Sequence, residues 1–186
     1  MPALTMLRTI STSPTRAAPH ARRALAACAA LCALALAFLA VPRAHAIESL
    51  QQFPTTVLSI RTHKTTEWFT VWIADTPERS EQGLMFLQWL PPDQGMLFPQ
   101  DSPRVMRMWM KNTLIPLDML FIDAKGHIIG IHERATPRSE DIIASPAAVK
   151  AVLELAGGQC AALGIHVGDQ VRHALFGSSP AGPVRK

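Results

Sequence analysis

Leu117-Asp118-Met119-Leu120-Phe121-Ile122-Asp123-Ala124-Lys125-Gly126-His127-Ile128-Ile129-Gly130-Ile131-His132 reads as strand, turn, strand. Two short apolar runs, Leu117 to Ile122 and His127 to His132, flank a polar tetrad that ends in Gly, the chemistry of a hairpin turn. Outward from this hairpin the same kind of element recurs. Glu67 to Ala74 alternates, with Phe69, Val71 and Ile73 on one face and Trp68, Thr70 and Trp72 on the other. Thr56 to Arg61, Gly95 to Phe98, Arg104 to Met110, Val149 to Leu155 and Gln170 to Leu175 are further strand-like segments. Asp75-Thr76-Pro77-Glu78 starts a short helix, with a Thr cap, Pro at the first position and an acid in the first turn. Gly157 to Leu163 reads as a helical turn around Cys160, and Ala135 to Pro146 as a polar loop and the most mobile segment. With no βαβ alternation and no phosphate loop, the expected fold is mainly β. It is a compact barrel- or sandwich-like domain of about seven short strands with one or two short helices.

The ends read differently. Arg8, Arg16, Arg22 and Arg23 precede an apolar run from Ala24 to Val41, Pro42 ends it, and Ala44-His45-Ala46 is an A-x-A site. That order predicts a secretory signal over residues 1–46. The run is long enough to weigh as a membrane anchor, but it is mostly alanine and the cleavage site follows at once. Leu25-Ala26-Ala27-Cys28 has the look of a lipoprotein box, but Cys28 opens the apolar run instead of following it. Either Met1 or Met6 serves as the start. Residues 47–176 are expected to be a single β-rich domain and residues 177–186 a disordered tail. The expected location is periplasmic or secreted, with membrane contact only through the signal before cleavage.

The formal charge of +4 belongs to the leader. Five of the 18 basic residues (Arg8, Arg16, Arg22, Arg23 and Arg43) and none of the 14 acids precede Ile47, so the remainder carries 13 − 14 = −1. Nothing in that balance favours nucleic acid as a partner. Cys160 is the one cysteine after Ile47, so no internal disulfide is expected.

Several uncommon blocks occur in order: Ala74-Asp75-Thr76 with Glu78-Arg79, Gly83-Leu84-Met85, Gly95-Met96-Leu97-Phe98, Trp109-Met110-Lys111-Asn112-Thr113, Pro116-Leu117-Asp118, Val152-Leu153-Glu154-Leu155 and Gly168-Asp169. On these blocks the stretch from about Val71 to Val171 resembles the bacterial and archaeal family known as domain of unknown function 192. The resemblance implies a compact, mostly β domain, often exported, and supplies no activity. Two departures stand out: Ala156 and Gly157 precede Gly158 where the family usually has Pro then Ala, and Met106 and Met108 replace more usual aromatic or aliphatic residues.

The candidate site rests on polar residues embedded in apolar sequence, because a polar group buried without partners costs a few kcal/mol. Lys111, Asn112, Thr113, Asp118 and Glu154 meet that description. Asn112, Thr113 and Asp118 read either as a polar pocket for a small molecule or peptide group, or as a turn that Pro116 helps to fix. Glu154 reads either as half of an ion pair with Arg79, Arg107 or Lys111, or as partner of Asp118 in the acid–base pair of a hydrolase acting on an envelope polymer. Met106, Met108 and Met110 on one strand face read as core, or as a Cu(I) site completed by Cys160 or a His in a copper-binding accessory protein. Trp68 and Trp72 read as a binding face or as a layer beneath the segment from Glu48 to Phe53. His132-Glu133-Arg134-Ala135-Thr136 fails the zinc motif at Thr136, no C-x-x-C or G-x-S-x-G occurs, and Cys160 lacks a recognisable His partner. No metal or cofactor is expected. The reading that remains is an exported, non-enzymatic domain binding a small ligand or an envelope protein through a polar pocket near Asn112 and Asp118.

Overall fold

The structure, a computed structural model, describes residues 47–179. The expected signal (1–46) and the end of the expected tail (180–186) lie outside the described residues. The described chain forms strands β1 Thr55–Arg61, β2 Thr66–Ile73, β3 Gln94–Met108, β4 Leu117–Ile122, β5 Ile128–Ala135, β6 Ile143–Ala156 and β7 Gln170–Arg172. Two short helices accompany them, α1 Pro77–Gln82 and α2 Gln159–Leu163. The mainly β class, seven strands and two short helices therefore match the sequence reading.

All seven strands join one sheet in the order β5-β4-β6-β3-β2-β1-β7. Only the β2–β3 pair is parallel. The sheet curls until its two edges meet at one end. There the Ile128 N–H donates to the Asp169 carbonyl at 3.0 Å, and the Val171 N–H to the Gly126 carbonyl at 2.8 Å. The result is a half-barrel, in which curling shields much of the open edge.

The period-2 alternation of the strands sorts apolar side chains into two cores. The inner core draws on every strand and on α2, and includes Leu58, Phe69, Leu97, Leu120, Ile128, Leu153, Cys160 and Val171. The outer core holds Phe53, Leu84, Met96, Phe98, Met106, Met108, Met110, Met119 and Val152. Its cover comes from the N-terminal segment and the region around α1. Trp72 and Leu50 both pack, partly buried, against this outer cluster, which supports the layer reading for Trp72.

Two elements depart from the sequence reading. β3 runs unbroken over 15 residues and β6 over 14, where shorter strands and a long loop were expected. Proline cannot donate to a ladder, yet Pro99, Pro103 and Pro146 lie within these two strands. Here they sit in an arm where β3 pairs with β6, and the register shifts between Pro99 and Arg104 and again between Val105 and Arg107. Bulges of this kind accommodate residues that a regular ladder rejects. Ser145 completes the arm: its hydroxyl accepts from the Met106 N–H at 3.0 Å and donates to the Ala147 carbonyl at 2.7 Å. What remains of the expected mobile loop, residues 136–142, is tied down by the Met110 N–H to the Ser139 carbonyl and the Arg138 N–H to the Thr113 carbonyl.

Helix α1 starts as its sequence dictates, with the Thr76 hydroxyl accepting from the Arg79 N–H and Pro77 at the first position. Its Gln82 side chain makes a reciprocal pair with the Glu48 backbone, both bonds 2.7 Å. Arg79 bridges Glu48 and Asp75 and lies over the Phe53 ring. The Arg79 hydrogen bond holds Glu48 below the usual carboxylate range. The N-terminal segment is thereby fastened to α1.

Gly95 pairs with Leu155 where β3 runs beside β6. A Cβ there would collide with the Glu154 carbonyl oxygen and approach the Leu155 side chain at 2.9 Å. Backbone atoms cannot move aside as a side chain can. Gly95→Ala is expected to cost about 3 kcal/mol in a urea melt, the scale of overpacking in a tight interior. A loss below ~0.5 kcal/mol would show that the β3–β6 contact is looser than described.

Candidate functional site

Glu154 is 4% exposed, near the C-terminal end of β6. Its cross-strand neighbours are Met96 on β3 and Met119 on β4, so no polar group flanks it in the sheet. Alternation points it to the same face as Val152, toward the outer core. Among the described residues its carboxyl makes no hydrogen bond and no ion pair. Burial alone pushes its pKa up from 4.5 to about 8, because the charged form is disfavoured away from water. The expected pairing with Arg79 does not occur, since Arg79 is held by Glu48 and Asp75. Arg107 and Lys111 share a cavity with Glu154 but lie outside ion-pair distance of it.

That cavity has a volume of 280 Å³. Glu154 and Phe98 line it from the sheet, Leu84 and Met85 from the turn after α1, and Met106 and Met108 from the β3 arm. Arg104, Arg107 and Lys111 bring three cationic side chains to it, against Glu81 as the other acid. The bulge between Val105 and Arg107 breaks the strand alternation, which lets Met106, Arg107 and Met108 all reach the same space. A second cavity of 450 Å³ adjoins it and shares Glu81, Gln82, Met85, Trp109 and Lys111. Lys111 lies at the junction, its ammonium 5.4 Å from the centre of the Trp109 ring.

The five candidate residues separate. Lys111, Thr113 and Glu154 line the smaller cavity, and Lys111 and Asn112 the larger one. Asn112 sits in a left-handed conformation at φ 56°, in a turn closed by the Thr113 N–H donating to the Met110 carbonyl at 3.0 Å. Asn tolerates that conformation better than other side-chain-bearing residues. The turn reading thus accounts for its backbone, while its side-chain amide reaches the Met85 sulfur at 3.8 Å. Thr113 is 5% exposed, and its carbonyl receives the Arg138 N–H.

Asp118 leaves the site. It alternates with Leu120 and Ile122 and so faces the inner core, on the opposite side of the sheet from Glu154. Fully buried, it accepts three backbone hydrogen bonds: from Arg134 at 2.8 Å, Gly158 at 2.9 Å and Cys160 at 2.8 Å. Its carboxylate fastens β4 to β5 and to the start of α2. The two carboxyl groups therefore share no cleft, and the paired-carboxylate hydrolase loses its geometry.

Cys160 is buried, and burial together with the neighbouring Asp118 carboxylate pushes its thiol well above the ordinary range. Neither condition suits a nucleophile. In native protein the thiol is expected to resist Ellman's reagent and to react fully only on denaturation; prompt reaction of the folded chain would contradict its burial. Met106, Met108 and Met110 all belong to the outer core, as the packing reading held, although Met106 and Met108 also face the cavity. Sequence reasoning named Arg107 only as an ion-pair partner and missed Arg104 and Met85. For Arg104 the one signal was the basic, methionine-rich composition of the strand before Trp109; Met85, in the turn after α1, carried none.

The DUF192 family, described as an uncharacterized ACR, matches residues 58–173, more than half of the chain. No curated protein matches. Among solved structures, the chain is similar to a protein from Sinorhizobium meliloti 1021 described as a candidate transcription regulator. The two share 44% identity over 66% of this chain and 96% of the other, with a TM-score of 0.65. It is also similar to a protein of unknown function from Novosphingobium aromaticivorans DSM 12444, at 30% identity over 69% of this chain and 91% of the other, with a TM-score of 0.66.

Proposed function

Because the chain belongs to the DUF192 family, which brings no activity with it, we propose a function from its own cavity: an exported, non-catalytic domain that binds a small ligand in the cell envelope. The observation that carries this reading is Glu154, a nearly buried carboxyl without a partner among the described residues, at the wall of a cavity. An acid in that position opposes folding, so a fold that keeps it has another use for it. With Asp118 on the other face of the sheet, no second carboxylate joins Glu154 to divide acid and base roles. Binding is what the single group supports.

Export rests on the order of basic region, apolar run and A-x-A site before Ile47. The name given to the Sinorhizobium protein suggests nucleic acid as an alternative partner. The net charge of −1 from Ile47 onward (13 basic against 14 acidic residues) offers no excess of positive charge for such binding.

The test is a thermal-shift screen of protein from the envelope fraction against envelope sugars, peptides and small organic acids and bases. A specific ligand raises the melting temperature. The expected hit loses its effect in Ser80→Trp, which places a bulky ring at a half-exposed position lining the cavity. A hit that persists unchanged in Ser80→Trp would place binding elsewhere. The same preparation should begin at Ile47 by mass spectrometry, and an intact Met1 or Met6 start would refute cleavage.

A further inference from the structure

The smaller cavity combines features that select a ligand class. Part of its wall is apolar: Leu84, Met85, Phe98, Met106 and Met108. Three cationic side chains line it against two acids, and one of those acids is Glu154. A cationic ligand beside Glu154 would share the cavity with Arg104, Arg107 and Lys111, and like charges at short range oppose binding. An anion meets attraction instead, provided that Glu154 presents a proton and not a charge.

Resting on the reading of this cavity as a ligand site, we propose that it takes a small organic anion. The anionic group lies against Arg104, Arg107 and Lys111, the apolar body lies on Met85, Phe98, Met106 and Met108, and an acceptor atom lies against the Glu154 carboxyl. Each part has a distinct physical role. The guanidinium groups match a carboxylate or sulfonate in planar, two-pronged geometry. The thioether walls adapt to irregular apolar shapes. The carboxyl supplies a donor at the cavity wall that orients the ligand, and burial favours its protonated form. The charged groups lining the cavity with Glu154 are Arg104 and Arg107 from β3, Lys111 from the following turn and Glu81 from α1.

The probes are a matched pair of dyes, 1-anilinonaphthalene-8-sulfonate and N-phenyl-1-naphthylamine. They share the apolar body and differ in the sulfonate. At pH 6.5 the sulfonate dye is expected to bind at least about tenfold more tightly, and this preference should shrink as salt is raised. Arg104→Ala with Arg107→Ala should abolish the preference. Raising the pH from 6 to 9 should weaken the sulfonate dye severalfold in the wild type. Glu154→Gln, which keeps a donor but cannot ionise, should show no such weakening. Equal binding of the two dyes, a tighter grip on octylammonium than on octanoate, or no binding of the sulfonate dye at any pH would overturn the anion assignment. Ser80→Trp separates that failure from failure of the site. If it abolishes dye or octylammonium binding, the cavity stands as a ligand site and only the ligand class is wrong. If it changes nothing, both fall.

Discussion

Asp118→Ala is expected to lower the free energy of unfolding by at least ~4 kcal/mol. The carboxylate receives the Arg134, Gly158 and Cys160 N–H groups at 2.8–2.9 Å with no exposure to water. A hydrogen bond to a charged group contributes ~1.5–3 kcal/mol, and a buried donor left without its partner costs ~1–3 kcal/mol. Three such donors sum to more than the stated loss, which allows for relaxation and for water entering the vacated space. Asp118→Asn keeps one acceptor oxygen but turns an NH₂ toward a donor, so a smaller loss of ~2–3 kcal/mol is expected. Urea melts at constant pH measure both. A loss below ~1 kcal/mol in the alanine variant would show that the three N–H groups find other partners, and would end the account of Asp118 as a fastener between β4, β5 and α2.

Glu154 is expected to behave in the opposite way, because its burial opposes folding whenever it is charged. Its pKa rises from 4.5 in the unfolded chain to about 8 in the folded one. Between those values the folded chain holds the proton that the unfolded chain has released, so stability falls as pH rises. The contribution is complete below pH 4.5 and is lost once the pH passes about 8. The full difference is on the order of 5 kcal/mol. Glu154→Gln should flatten this part of the pH profile. Glu154→Met, which completes a row of methionines with Met96 and Met119, should raise stability at pH 8 by ~2 kcal/mol. Both variants keep the fold testable because neither adds a buried charge. Wild-type and Gln variants with the same dependence of stability on pH between 5 and 9 would contradict the unpartnered carboxyl.

These two acids show what the sequence carries and what it withholds. Each is a lone carboxylate inside an apolar strand, and each reads as buried, which the structure bears out. Their environments differ for reasons that are not local. The donors to Asp118 come from residues 16, 40 and 42 positions away, brought together by the β4–β5 pairing and the turn into α2. Glu154 meets only methionine on both neighbouring strands, and that depends on a register no single segment specifies. Arg79 likewise takes as one partner Glu48, which lies 31 residues away. Local signals fared better. The Leu117–Ile122 strand keeps its boundaries as read, because an apolar run bounded by Pro116 and a polar turn leaves little choice. The Thr76 cap likewise forms as read, because capping needs only four consecutive residues. The arm formed by β3 and β6 was illegible because its prolines signal interruption, while long-range pairing tolerates them at bulges.

Glu154, at the wall of the smaller cavity and without a partner among the described residues, is expected to stay protonated in the free protein at neutral pH. The most direct measurement follows the side-chain carboxyl carbon of Glu154 by NMR as the pH is raised, with Glu154→Gln identifying the resonance. A titration midpoint at about 8 in the free protein is the predicted result. A midpoint near the ordinary value of 4.5 would show the carboxyl to be solvated or paired, and would contradict the claim.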